Sequence, residues 1–226
     1  MKLMLIGGGE TGRGDKVYST KEIDEEVVKM SGKEKPNFLF IGLASSFSDS
    51  YYDTMKLIYR NLGCECAYLK KKNILNNPDI VKDKIKNADI IYVAGGDTIK
   101  LLNDLKEYNI VPLIKEAIED NTVIAGISAG AIMVSKEGYS DAAKLRGESD
   151  KYDFLEGLNF IDLIFSPHHH DEKVKEMIGE IGSRKVYSLE NNTALKIIDN
   201  NYEVIKSDKN AKAYLVTSEG VKEIPN

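Results

Sequence analysis

Short, almost wholly apolar runs that end in glycine or other small residues constrain this chain more than any other feature. Leu3–Ile6 runs into Gly7-Gly8-Gly9, Asn37–Gly42 into Leu43-Ala44-Ser45, Asp89–Ala94 into Gly95-Gly96, and Val123–Ile127 into Ser128-Ala129-Gly130. Between them lie segments with helical spacing of apolar residues. Lys21–Ser31 carries Ile23, Val27, Val28 and Met30, with Thr20 as its expected N-cap. Ser50–Leu62 is closed by Gly63, and Asp79–Asn87 is opened by Pro78, where a missing N–H costs little. Thr98 to about Lys106 and Val111–Asp120 follow, and Cys64–Leu69 reads as a further strand. Strands that are apolar without alternation are buried on both faces, which is the condition of a parallel sheet covered by helices. The expected fold is therefore α/β: a flavodoxin-like three-layer sandwich with a mostly parallel central sheet, in a single domain over residues 1–226.

The second half is less regular. Glu137–Gly157 is polar and charged and reads as a long loop, a length that usually signals a functional segment. Leu163–Ser166 and Lys185–Leu189 read as further strands with a helix between them. Thr193–Ile198, Tyr202–Ile205 and Ala213–Thr217 read as C-terminal antiparallel hairpin strands around Asp199-Asn200-Asn201 and Asp208-Lys209-Asn210.

One strand-to-helix junction carries chemistry in its spacing. Gly126, Ser128 and Gly130 spell G-x-S-x-G, a nucleophile elbow. A serine on so sharp a turn has a strained backbone, and glycine on either side removes the Cβ atoms that would collide. The turn also aims the N–H of Ala129 outward at a helix N-terminus, where an oxyanion would be stabilised. Gly95-Gly96, after another strand, is the expected source of a second donor. A serine nucleophile needs a base, and the chain's three histidines are consecutive: His168, His169 and His170. They follow a strand, at the sheet edge where open parallel sheets collect functional groups. Spacing alone does not choose among the three, nor among Asp141, Asp171 and Glu190 as the carboxylate that would orient the imidazole.

Composition closes off other classes. A net charge of −5 without a long basic run argues against nucleic acid as a partner. No run approaches the roughly 18 apolar residues that a membrane span needs, and no signal segment is evident, so a cytoplasmic location is expected. Cys64 and Cys66 lack the spacing of a redox or zinc motif and read as reduced packing residues, and the histidine cluster lacks metal-ligand spacing. No metal or other cofactor is expected. Gly7-x-Gly9-x-x-Gly12 matches a dinucleotide fingerprint by spacing. However, Arg13-Gly14-Asp15 follows where a helix should begin, and the second strand ends without a ribose-binding acid. A substrate-side loop is the expected role.

Taken in order, Ala94-Gly95-Gly96-Asp97-Thr98, Gly126-Ile127-Ser128-Ala129-Gly130-Ala131, Ser166-Pro167-His168 and Leu189-Glu190-Asn191-Asn192 resemble the aspartyl dipeptidase and cyanophycinase family of serine peptidases, whose fold is related to class I glutamine amidotransferases. The resemblance runs over most of the chain. It implies a triad of Ser128 as nucleophile, His168 as base and Glu190 as orienter, with an oxyanion hole at the N–H groups of Gly96 and Ala129. Asp97 stands where the dipeptidases usually carry asparagine, His169 replaces a common aromatic, and the loop bearing Asp141, a candidate specificity residue, does not clearly match. The resemblance thus implies a serine exopeptidase, dipeptidase-like, acting on short peptides; a short peptide is the expected partner, and the sequence leaves monomer or homodimer open. An esterase, an isoaspartyl-type peptidase and a non-catalytic protein of the same fold are the alternatives.

Overall fold

A computed structural model describes residues 1–12, 15–46 and 48–225. Along the chain the elements run β1 (Lys2–Ile6), α1 (Lys21–Ser31), β2 (Asn37–Ile41), α2 (Asp49–Asn61), β3 (Glu65–Tyr68), α3 (Lys71–Asn76), α4 (Pro78–Lys86), β4 (Ile90–Val93), α5 (Thr98–Glu107), α6 (Val111–Glu119), β5 (Val123–Ile127) and α7 (Ala129–Val134). They continue with β6 (Ser135–Ser140), α8 (Ala142–Leu145), β7 (Asp153–Glu156), β8 (Ile161–Ser166), α9 (Asp171–Glu180), β9 (Val186–Leu189), β10 (Thr193–Ile198), β11 (Asn201–Lys206), β12 (Ala213–Thr217) and β13 (Gly220–Ile224). The molecule is α/β, as the alternation of apolar runs and amphipathic segments predicts. No helix among the described residues is long and apolar enough to cross a membrane.

The main sheet has the order β11-β10-β1-β5-β4-β2-β3. β1 to β5 pair in parallel, and β10 joins β1 antiparallel, bringing the β10–β11 hairpin onto that edge. The period-2 rule sorts each strand between two cores. Leu3 and Leu5 of β1 pack with Leu39, Ile91 and Ile124 on one face, while Met4 and Ile6 pack with Phe38, Tyr92, Ile23 and Met55 on the other. Helices α1 and α2 cover the second face, and α4 to α7 cover the first.

A second sheet, ordered β13-β12-β9-β8-β6-β7, departs from the single-sheet expectation. The stretch read as a long polar loop contains β6 and β7, which pair Gly138 with Leu155. Ala213–Thr217 also leaves the expected hairpin arrangement: β12 pairs with β9 and β13. Apolar residues of β8 and β9, such as Leu163, Phe165 and Leu189, join the main core, while α9 packs Val174 and Met177 against Tyr139, Val186 and Val216. Strands β8 and β9 are parallel, Ser166 opposite Ser188, so both end at one edge. That edge meets the C-terminal edge of the main sheet through a hydrogen bond of 2.9 Å from His168 N–H to the Gly7 carbonyl, and Gly7 N–H in turn donates to the Thr193 carbonyl at 2.9 Å, continuing the β1–β10 ladder.

Candidate active site

The elbow is built as the spacing requires. Every residue of β5 is buried, and Ser128 turns the chain into α7 with φ 53° and ψ −111°. A side chain in that region costs on the order of 1–3 kcal/mol and persists because its surroundings fix it. Ser128 N–H donates to the Ile6 carbonyl at 3.0 Å, tying the turn to the end of β1. A Cβ on Gly126 would collide with the Gly130 carbonyl, and one on Gly130 with the Val93 carbonyl, so both flanking glycines are sterically required.

The three histidines have three different settings. His168 leaves β8 through Pro167 with φ 53°, and its Nε2 lies 2.9 Å from Ser128 Oγ. His169 stacks on the Tyr214 ring at 4.0 Å and pairs Nδ1 with Ser188 Oγ at 2.9 Å. His170 sits at the N-cap of α9, where Nδ1 accepts from Lys173 N–H at 3.3 Å, and its Nε2 is 3.2 Å from Tyr152 Oη. Of the three, His168 is the one brought to the serine. Burial pushes its pKa below the ordinary histidine value, against the opposing pull of a hydrogen bond to Asn191.

That hydrogen bond corrects the expected position of Glu190. The group on His168 Nδ1 is the Asn191 amide oxygen, at 2.7 Å. An amide oxygen only accepts, so Nδ1 carries the proton and Nε2 presents a lone pair to the serine hydroxyl. The Glu190 carboxylate is engaged on the other side of the strand end, accepting from Lys212 N–H at 2.9 Å and from Tyr214 O–H at 3.2 Å. Glu190 N–H donates to the Lys212 carbonyl at 3.1 Å, prolonging the β9–β12 ladder by one residue. Neighbouring residues of an extended chain face opposite ways, so the ladder turns Glu190 toward β12 and leaves the next residue to face His168. The string Leu189-Glu190-Asn191-Asn192 marks the right place in the sequence, but its spacing does not separate the two side chains.

Gly8 makes this pairing possible, since a Cβ there would overlap both Asn191 Oδ1 and His168 Nδ1. The glycine-rich start is therefore a cradle for the His168–Asn191 pair. Arg13 and Gly14, which interrupt the dinucleotide reading, lie outside the described residues.

Gly95 and Gly96 border the serine, and a Cβ on Gly95 would lie 3.3 Å from Ser128 Cβ. Gly96 has φ 141°, and a side chain there would strike the Ala44 carbonyl. Its N–H has no hydrogen-bond partner among the described residues. Ala129, the first residue of α7, has an N–H for which the helix offers no acceptor. Asp97 is turned away: its carboxylate caps α5 by accepting from Lys100 N–H at 3.0 Å and lies 4.0 Å from Arg146 Nε. Asp141 precedes α8, where its charge acts on His168, Tyr152 and Lys173. Beside His168 opens a cleft of about 490 Å³ lined by the three histidines, Glu190, Asn191, Asp208 and Asn210. No cluster of side chains suited to hold a metal ion occurs among the described residues.

The chain is similar to known proteins. The family model "Peptidase family S51" matches residues 3–205. The uncharacterized peptidase YgaJ of Bacillus subtilis is 29% identical over 233 residues, covering 99% of this chain and 95% of that protein. Peptidase E of Haemophilus influenzae is 42% identical over a shorter stretch of 53 residues, 24% of this chain and 23% of that one. In three dimensions the fold is similar to the crystal structure of a peptidase from an acI-B1 Actinobacterium, with TM-score 0.74 and 22% identity over 99% of this chain and 93% of that one. A putative peptidase E from Listeria monocytogenes gives TM-score 0.67 and 21% identity over 91% and 98%. The family match spans both sheets and reaches from β1 into β11, and the chain accordingly belongs to peptidase family S51 and is a serine peptidase.

Proposed function

We propose that this peptidase cleaves short peptides through an acyl-enzyme, with Ser128 as nucleophile, His168 as general base and Asn191 as the group that orients the imidazole. The observation that carries the reading is the 2.9 Å approach of His168 Nε2 to the Oγ of a serine held in a strained turn. As Oγ bonds to the scissile carbonyl carbon, its proton passes to Nε2, and the carbonyl electron pair moves onto oxygen. The N–H groups of Gly96 and Ala129 are the donors for that oxyanion. Collapse breaks the C–N bond, and the departing amine takes the proton from Nε2. Water then attacks the acyl group with His168 again as base, releasing the acid and restoring Ser128. Asn191 fixes the tautomer throughout, as the asparagine does in Cys-His-Asn peptidases.

The short-peptide, dipeptidase-like reading draws on the family resemblance. Labelling with a fluorophosphonate probe, read by intact mass, tests the nucleophile. Wild type is expected to take a single adduct and Ser128→Ala none, with hydrolysis of a dipeptide library falling by about 1000-fold or more in the variant. Near wild-type turnover by Ser128→Ala would overturn the mechanism.

A further inference from the structure

Lys173 is a buried lysine for which the proposed mechanism has no use. It is the third residue of α9, 2% exposed, and no carboxylate among the described residues lies within ion-pair distance of it. Its Nζ donates to the Pro167 carbonyl at 2.6 Å and lies 5.1 Å and 5.8 Å from the ring centroids of Tyr152 and Tyr139. An ammonium buried without a counter-charge costs stability, and a methionine would fill the same space without that cost. The position of its one hydrogen-bond acceptor gives it a purpose. Pro167 and His168 share a peptide group whose N–H donates to the Gly7 carbonyl at 2.9 Å, so the group is held at both its oxygen and its nitrogen. His168 has φ 53°, and its following peptide is held too, His169 N–H donating to the Leu189 carbonyl at 2.9 Å, so the two planes flanking this left-handed setting are both tied down.

We propose that Lys173 is a positioning residue for the catalytic histidine: its buried ammonium clamps the Pro167 carbonyl and so holds the backbone turn that presents His168 to Ser128. The inference rests on the reading of Ser128 and His168 as nucleophile and base. The same ammonium also opposes a second positive charge on the His168 ring. The groups facing these two side chains are Asp141 and Lys144 from the α8 region, Tyr139 of β6, Tyr152 before β7, and His170, with Glu176 of α9 acting on both tyrosines. Burial pushes the Lys173 pKa down to about 8, against the pull of Asp141. Charge-assisted hydrogen bonds are about twice as strong as neutral ones, so loss of this proton loosens the clamp.

The test is the rate of fluorophosphonate labelling and of dipeptide hydrolysis by wild type and Lys173→Met across pH 5–10. The variant loses a buried charge and also the donor to the Pro167 carbonyl, two opposing effects, so its melting temperature at pH 7 is expected to stay close to that of wild type. Its kcat is expected to fall by about tenfold or more with KM within about twofold, since a displaced base weakens proton transfer rather than binding. The acid limb of its profile should move to higher pH. A lysine that only supported the fold would lower the melting temperature and leave kcat near the wild-type value, whereas the shift of the acid limb reports the charge alone. Wild type supplies a check that needs no variant: its labelling rate should decline with a midpoint near pH 8 while its circular dichroism is unchanged. Wild-type rates in Lys173→Met, or a wild-type profile flat from pH 7 to 9, would overturn the proposal. Failure of wild type to label at all would instead overturn the reading of Ser128.

Discussion

At the scale of single residues, the site turns on which of two neighbours meets an imidazole. Asn191 Oδ1 stands 2.7 Å from His168 Nδ1, while both oxygens of Glu190 are taken by Lys212 and Tyr214. A neutral amide orients the ring but offers no charge to the imidazolium, which leaves burial to dominate and hold the His168 pKa down. Asn191→Leu should therefore lower kcat by about 10- to 100-fold with little change in KM, because the orienting bond is lost and both tautomers become accessible. Glu190→Gln should have the smaller effect, and steady-state kinetics of the two variants decide between them. The reverse ranking would return the orienting role to Glu190. Sequence spacing leads to this locality but not to the residue, since a ladder extended by one hydrogen bond is what separates adjacent side chains.

At the scale of elements, the legible parts are those whose sequence carries one dominant signal. α1, the main-sheet strands and the Pro78 start of α4 lie where apolar periodicity and turn chemistry put them. β6 was not legible as a strand because its buried positions are Ser135, Gly138, Tyr139 and Ser140 rather than a run of large apolar residues. Gly138 is there because a Cβ would press into Ile132 of α7. Thr20 is the N-cap of α1 as expected, its carbonyl accepting from Asp24 N–H at 2.9 Å, but its hydroxyl donates to the Asp24 carboxylate at 2.9 Å rather than accepting from a helix N–H. Asp97, by contrast, is a working N-cap. Its carboxylate accepts from Lys100 N–H, so Asp97→Ala should destabilise the protein by about 1 kcal/mol, whereas Asp97→Asn keeps a side-chain acceptor and should lie within about 0.5 kcal/mol of wild type. Urea denaturation of the two variants checks the difference.

At the scale of the whole molecule, stability carries a pH signature from one buried acid. Asp24 is fully buried and accepts from Tyr59, Tyr18 and Thr20 at 2.8–2.9 Å, linking α1 to α2 and to the segment that precedes α1. Burial outweighs those three hydrogen bonds and raises its pKa from 3.8 to about 6. A carboxyl with a raised folded-state pKa stabilises the fold most when protonated, below pH 4, and that contribution is lost as pH rises through 6. The loss amounts to about 3 kcal/mol at 1.36 kcal/mol per unit. Asp24→Asn should flatten the dependence of unfolding free energy on pH between 4 and 6, as read from urea midpoints, and an unchanged slope would assign it to other groups.

The position of β1 has one further consequence, in time rather than in space. Its last residues hold Ser128 through the Ile6 carbonyl and His168 through the Gly7 carbonyl, and its two neighbours in the sheet are β5 and β10. β1 is thus completed only by strands made more than a hundred residues after it. During translation the serine emerges well before the histidine, and the histidine before Asn191. On the proposed mechanism, a growing chain carries Ser128 without its partners, and the capacity to cut peptides arises only after the strand beyond Asn191 has closed against β1. The order of the chain itself separates the making of this hydrolase from the onset of its activity.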